Sequence, residues 1–173
     1  MSDSIIVENK RILLRIWRLD DAPAAYQFYS DPEVSRYIGD GQPLMDMAKV
    51  ERKLSLFIQH QQEKGFSPWA VLEKQSNEIV GVCGLHRYNE EGEVELGFRM
   101  NRKSWGKGFA TEAAKLSIEY GFVNLQLSRI AATARIENTA SRRVLEKVGF
   151  TFVGEKKLVE DEHPYYYYET FRR

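Results

Sequence analysis

The stretch Trp105-Gly106-Lys107-Gly108-Phe109-Ala110-Thr111-Glu112-Ala113 decides how the rest of the chain is read. Its two glycines bring the backbone close to whatever binds, with no side chain in the way. The residues after Gly108 open a helix to about residue 124, and the free N–H groups of its first turn favour an anion. Lys107 adds positive charge, so the local physics points to phosphate or pyrophosphate. On spacing alone, a tight strand-to-helix turn without a ligand is the alternative. The buried stripe expected for this helix is Ala110, Ala113, Ala114, Ser117, Ile118, Gly121 and Phe122. Its small residues let a helix lie close to a sheet.

Working outward, residues 93–100 predict a strand before the loop. Residues 129–134 form a nearly continuous small or apolar run, as in a strand covered on both faces. Strand, glycine turn, helix and strand make one βαβ unit. Asn138 caps a further helix to Val148, with Ala140, Val144 and Val148 inward and Gly149 as its left-handed stop. Residues 150–157 and 165–171 close the chain as a hairpin. Upstream, residues 11–17 predict a first strand, Asp20 or Asp21 caps a helix with Pro23 in its first turn, and Asp31-Pro32-Glu33 starts a short one. Met47, Val50, Leu54, Phe57 and Ile58 mark one face of a helix within residues 43–64, ended by Gly65. Strands at 69–73 and 78–85 follow, with turns at 75–77 and 89–92. The expected fold is α/β: a mixed, mostly antiparallel sheet with one βαβ crossover unit and flanking helices. No repeat or linker interrupts it, so residues 1–173 are expected to form one domain.

Composition narrows the classes of function. The 173 residues are 43% hydrophobic and 29% charged, with Lys+Arg and Asp+Glu equal at 25 each. That balance argues against a general nucleic-acid binder, which carries a basic excess. Cys83 is the only cysteine, which excludes an intrachain disulfide and a cysteine-built zinc site, and no metal is expected. The first residues lack a signal peptide's basic start and apolar core, and no apolar run nears the ~20 residues that span a bilayer. A cytoplasmic protein without a membrane partner is expected. A P-loop, G-x-x-x-x-G-K-[ST], is absent. The dinucleotide fingerprint fails too, because Thr111 stands at its third glycine and only one βαβ unit is present.

The chain resembles the GCN5-related N-acetyltransferase (GNAT) family over nearly its whole length. The likeness is to the RimJ/RimL-like subgroup, the ribosomal-protein N-terminal alanine acetyltransferases. Residues 11–37 resemble that subgroup's opening strand and helices, and residues 105–113 its pyrophosphate loop. Glu137-Asn138-Thr139-Ala140-Ser141-Arg142-Arg143-Val144-Leu145-Glu146-Lys147-Val148-Gly149-Phe150 resembles its cofactor-side helix. The wider family's loop begins with Gln or Arg. Trp105 takes that place here, as an aromatic often does in the subgroup.

The resemblance implies direct attack of an amine on the thioester of acetyl-CoA, so Cys83 need not be a nucleophile. It places the pantetheine arm and oxyanion donors along Phe98, Arg99 and Met100. Backbone N–H groups of Lys107, Gly108, Ala110 and Thr111 would hold the pyrophosphate. Asn138, at once a helix cap, would contact the pantetheine arm, and Arg142 and Arg143 would approach the adenosine phosphates or else form an exposed basic face. An α-amino group has a pKa near 8 and a lysine-like amine near 10, so either must lose a proton. Glu95 is the candidate base; its other reading is a solvent-facing strand residue. Leu145 stands where many members carry a tyrosine that protonates the leaving thiolate. Ser141 is the subgroup's alternative, as a hydrogen bond to sulfur, or else it serves only helix capping.

Two acceptors compete: a protein N-terminal α-amino group, towards which the subgroup leans, and a small amine such as a polyamine, amino acid or antibiotic. A CoA-binding or interaction protein without turnover is the reading of another class. Glu90, Glu91, Glu93 and the run Glu160-Asp161-Glu162 are candidates to attract a cationic amine. His86, Tyr88, His163, Tyr165 and Tyr166 are candidates to line the acceptor pocket. A homodimer is a further expectation of the family likeness.

Overall fold

The computed structural model describes residues 4–87, 92–157 and 161–173. Its eight strands are β1 (Ile5–Glu8), β2 (Ile12–Arg15), β3 (Pro68–Glu73), β4 (Glu78–Arg87), β5 (Val94–Met100), β6 (Arg129–Arg135), β7 (Thr151–Lys157) and β8 (Pro164–Phe171). The helices are α1 (Ala22–Tyr29), α2 (Pro32–Ser35), α3 (Met47–Lys64), α4 (Phe109–Val123) and α5 (Thr139–Lys147). One mixed sheet runs in the order β1-β2-β3-β4-β5-β6-β8-β7. Every neighbouring pair is antiparallel except β5 and β6, which the α4 crossover makes parallel. The α/β expectation holds.

Alternation along the strands divides the core between two faces. Trp69 and Val71 of β3 pack with Leu85, Leu96, Ala113, Ala114 and Ile130 on the α4 face. Ala70 and Leu72, one residue out of phase, pack with Phe28, Tyr29, Val50 and Leu54 on the α1 and α3 face. α4 lies close to the sheet because of Gly121, where a Cβ would stand 2.8 Å from Ile130 Cδ1 and 3.0 Å from Leu85 Cδ1. Of the expected stripe, Ala113, Ala114, Ser117, Ile118 and Gly121 are buried, while Ala110 and Phe122 are half-buried.

Three local expectations need correction. The strand expected at residues 11–17 is β2, and a preceding β1 pairs with it through a turn in which Asn9 Oδ1 accepts from the N–H groups of Arg11 and Ile12. α3 starts at Met47, where Asp46 accepts from Ala48 N–H, rather than near Pro43. On α5 the buried side chain is Leu145, Val144 and Val148 are half-buried, and Ala140 is exposed. The inward face is therefore turned from the one the spacing suggests.

The Asp21 side chain does not cap α1; it accepts from Arg18 N–H at 2.8 Å and from both terminal guanidinium nitrogens of Arg15 at 2.7 and 2.8 Å, and the Arg15–Asp21 pair is almost fully buried. Burial opposes its ionisation, but the Arg15 and Arg18 contacts outweigh it and hold the carboxyl below its ordinary pKa. This pair ties β2 to the start of α1, which carries Tyr29 to the cleft described below. Asp21→Asn leaves Arg15 buried without its counter-charge and is expected to cost about 3–5 kcal/mol of stability, read from the denaturant midpoint.

Candidate active site

The parallel pair β5 and β6 is bridged at one position, Glu95 opposite Ala131. Two residues further on, Thr133 N–H would continue the ladder to β5, but it donates to Glu95 Oε1 at 3.1 Å, and Thr133 Oγ1 donates to the same oxygen at 2.6 Å. The carboxylate thus takes the place of the next main-chain bond, and the strands part beyond it. A cleft of about 590 Å³ opens there, lined among others by Glu95, Gly97, Phe98, Arg99, Thr133, Asn138, Ser141 and Leu145.

Glu95 is not solvent-facing; it is only 7% exposed. Burial raises its pKa, more than the two Thr133 hydrogen bonds lower it. Its second oxygen, Oε2, lies 3.9 Å from His86 Nε2, beyond hydrogen-bond range. Burial, together with His60 and Lys53, lowers the His86 pKa to about 4, so this imidazole is neutral at pH 7. One carboxylate oxygen is thereby committed to the fold and the other faces the cleft.

Register decides which backbone groups of β5 also face it. Asn101 N–H donates to Val80 carbonyl at 2.8 Å, and Met100 pairs with Gly81. Antiparallel alternation then turns the N–H groups of Phe98 and Met100 away from β4, towards the gap. The Met100 carbonyl on that side already accepts from Trp105 Nε1 at 3.0 Å, while the Met100 side chain is buried in the core.

Across the gap, Asn138 caps α5 by accepting from Ser141 N–H at 3.1 Å. The Ser141 hydroxyl has no hydrogen bond among the described residues and lies on the cleft beside Leu145. Cys83 is fully buried, 3.4 Å from Ser117 Oγ, and burial pushes its thiol up to about 12, which suits a core residue and not a nucleophile.

The glycine loop stands apart from this lining. Gly106 and Gly108 have φ of +75° and +85°, and no side chain caps α4, so the N–H groups of its first turn remain open. The loop is anchored from far away in sequence. Arg11 Nη2 donates to the Lys107 carbonyl at 2.8 Å, Arg11 Nη1 bonds Glu112 Oε1 at 2.5 Å, and Asn9 donates to Glu112 Oε2 at 2.9 Å. Arg11 thereby neutralises the one carboxylate in the helix's first turn. Arg11→Ala frees Glu112 beside the anion seat and is expected to weaken anion binding there about tenfold. Calorimetric titration checks this.

Glu95, Phe98, Arg99, Asn138 and Ser141 thus meet in one cleft, whereas Met100, Lys107, Gly108, Ala110, Thr111 and Arg143 lie outside its lining. Arg143 is exposed. Arg142 is held by the Ile136 carbonyl at 2.9 Å and Tyr168 Oη at 3.3 Å, with its guanidinium over the Tyr166 ring. Of the expected acceptor-pocket residues, His86 and Tyr165 line the cleft. Tyr166 packs against Phe152, and His163 bonds Asp161. Glu93 is engaged by Arg129 and Tyr167, and Asp161 by Tyr165, His163 and Arg135, so neither stands as a free attractor for a cation. Glu162 is exposed, and Tyr88, Glu90, Glu91 and Glu160 lie outside the described residues. Tyr29, Tyr37, Lys53, Phe57, His60 and Thr133 also line the wall, and none of them is among the site residues expected from the sequence.

Known proteins share this architecture. The family described as Acetyltransferase (GNAT) domain matches residues 11–151. A Bacillus licheniformis protein named uncharacterized N-acetyltransferase p20 is 34% identical over 143 residues, covering 82% of this chain and 80% of its own. The crystal structure of a GNAT-family acetyltransferase from Bacillus anthracis superposes with a TM-score of 0.84 at 29% identity, covering 95% of this chain and 97% of its own. RimL, a ribosomal L7/L12 alpha-N-protein acetyltransferase solved with coenzyme A, gives a TM-score of 0.83 at 18% identity, covering 96% and 97%. The splayed strands, the glycine loop and these relatives together make the chain an acyltransferase of the GNAT family.

Proposed function

We propose that the chain transfers acetyl from acetyl-CoA directly to an α-amino group, that of a protein or peptide N-terminus. The observation that carries this reading is the splay at Glu95, which sets a raised-pKa carboxylate with one free oxygen at the head of an open cleft. Acetyl-CoA supplies an activated thioester. The residues present suit it: an uncapped helix start after two left-handed glycines for the pyrophosphate, and inward N–H groups of Phe98 and Met100 for the arm and the thioester oxygen. Asn138 lines the path of the arm, and Arg143 is exposed towards solvent for the adenosine phosphates.

In the reaction, Glu95 takes a proton from the acceptor amine, directly or through water, as the nitrogen attacks the thioester carbon. The carbon–sulfur bond breaks, and Ser141 Oγ donates a hydrogen bond to the departing sulfur. The α-amino choice rests on the likeness of fold to RimL and on basicity: an α-amino group with a pKa near 8 yields its proton to a carboxylate more easily than a lysine near 10. The test is release of free CoA thiol with free-N-terminal peptides, N-blocked lysine peptides and small amines. Turnover confined to free N-termini supports the proposal. Turnover of small amines alone, or acetyl-CoA binding without turnover, overturns it.

A further inference from the structure

Among the described residues, the cleft wall beyond Gly97 carries two cations without an ion-pair partner. Alternation along β5 puts Arg99 on the same face as Glu95 and Gly97, turned from α4 towards α1 and α3. Its guanidinium carbon lies 4.7 Å from the centre of the Tyr29 ring. Lys53 of α3 reaches the same place, with Nζ 5.6 Å from the Tyr29 ring centre and 5.5 Å from that of Phe57. Both side chains line the cleft. Among the described residues neither makes an ion pair or a hydrogen bond.

The other ionisable groups on the wall do not neutralise them. Burial pushes the Tyr29 phenol up to about 12, so it stays uncharged. His86 is neutral, and His60 spends Nδ1 on the Phe66 carbonyl at 2.6 Å. Glu95, four residues along the strand from Arg99, has one oxygen bonded by Thr133 and forms no ion pair with Arg99 or Lys53 among the described residues, and Arg135 is occupied by the Arg36 and Gly39 carbonyls and by Asp161. Burial and the charge of Arg99 both lower the Lys53 pKa, the mark of two like charges sharing a partly dry wall. An aromatic face attracts a guanidinium but satisfies none of its five N–H donors. Both are half-buried, so a counter-charge brought by a ligand would find their donors unspent, and a planar guanidinium suits a carboxylate or phosphate.

Resting on the α-amino reading above, we infer that the acceptor carries an oxyanion group, a carboxylate within the first residues of the peptide. It sits on Arg99 and Lys53 while the amine lies at Glu95. Glu95 and Arg99 are four residues apart on an extended strand, roughly 13 Å between Cα atoms at ~3.3 Å per residue, so two or three extended residues span the distance. Gly97 between them presents no side chain, and even a Cβ there would find only His86, at 3.6 Å. The same cations oppose a polyamine, which would set charge against like charge.

The experiment compares kcat/KM for free-N-terminal peptides matched except for Asp or Asn at their second or third residue. Free aspartate and its diamide form a second arm, which tells a peptide acid from an amino acid. The acidic peptide is expected to be favoured about 10- to 100-fold, the worth of a charged hydrogen-bonded pair. Arg99→Gln is expected to bring that ratio near 1, and Lys53→Gln to reduce it by a smaller factor. A ratio near 1 in the parent enzyme, or one that survives Arg99→Gln, overturns the inference. Preference for free aspartate over the peptides keeps the oxyanion seat but overturns its peptide source. If no acceptor turns over, the α-amino reading fails separately. Binding of N-acetylaspartate, measured by calorimetry in the presence of CoA, then decides the seat: affinity lost in Arg99→Gln supports it, and no binding sinks it.

Discussion

Glu95→Gln is expected to lower kcat by about 10²- to 10³-fold, within the range for loss of a general base, with little change in the KM for acetyl-CoA. The amide is isosteric, and its oxygen can still accept from Thr133 N–H and Oγ1, the two bonds that hold the splay open. The fold and the cleft therefore survive while the proton acceptor is lost. The pH profile separates chemistry from structure. Burial raises the folded Glu95 pKa, so the base is neutralised as pH falls through a value above the ordinary glutamate range, and kcat/KM falls with it. In Glu95→Gln the limb belonging to this group should vanish, leaving only that of the acceptor amine. If the variant keeps the parent's kcat and acid limb, Glu95 only joins β5 to β6 and the proton leaves by another route.

The second large effect is on binding. Gly108→Trp is expected to weaken acetyl-CoA affinity by more than about 100-fold, since its indole would occupy the anion seat at the start of α4. Two effects combine there. Gly108 has φ +85°, which a residue with a Cβ adopts only under strain of about 1–3 kcal/mol. A Cβ itself has room, with Arg11 Nη1 at 3.7 Å and Glu112 Oε1 at 3.9 Å as its nearest neighbours. Gly108→Ala therefore carries the strain without the bulk and should lose far less affinity. Calorimetric titration with acetyl-CoA, paired with a melting curve for each variant, checks both. Equal affinities in parent and Gly108→Trp would place the pyrophosphate elsewhere.

The βαβ unit could be read from sequence because its signals are local. Gly106 and Gly108 need left-handed φ, the small residues of α4 suit a close sheet, and Asn138 caps α5 where its sequence starts a helix. β1 was not legible: Ile5–Glu8 is four residues long and gains its partner only through the Asn9 turn. The phase of α5 is not legible in the sequence because Val144 and Leu145 are adjacent, and the spacing of the valines with Ala140 fits a face that the core covers only in part.

The site divides in the same way. The family resemblance names Glu95, Phe98, Asn138 and Ser141, and all four line one cleft. Arg11 could not be found that way, since it meets Lys107 across 96 positions and its role exists only once β2 lies beside the loop. Lys53 belongs to no motif, and the family resemblance implies for Arg99 only a place on the cofactor strand. Only the packing of α1 and α3 on the sheet brings both to Tyr29 and turns attention from acidic runs to a cationic wall. Of the candidate acids, Glu93 and Asp161 had partners that lie far away in sequence, Arg129 and Arg135.

The most direct test is a single peptide offering a free α-amino group and an internal lysine, incubated with enzyme and acetyl-CoA and mapped by fragment mass spectrometry. Acetyl on the N-terminal nitrogen alone, matched one-to-one by free CoA thiol, is the predicted result. Acetyl on the lysine alone, or no modified peptide although acetyl-CoA binds, would contradict transfer to an α-amino group at Glu95.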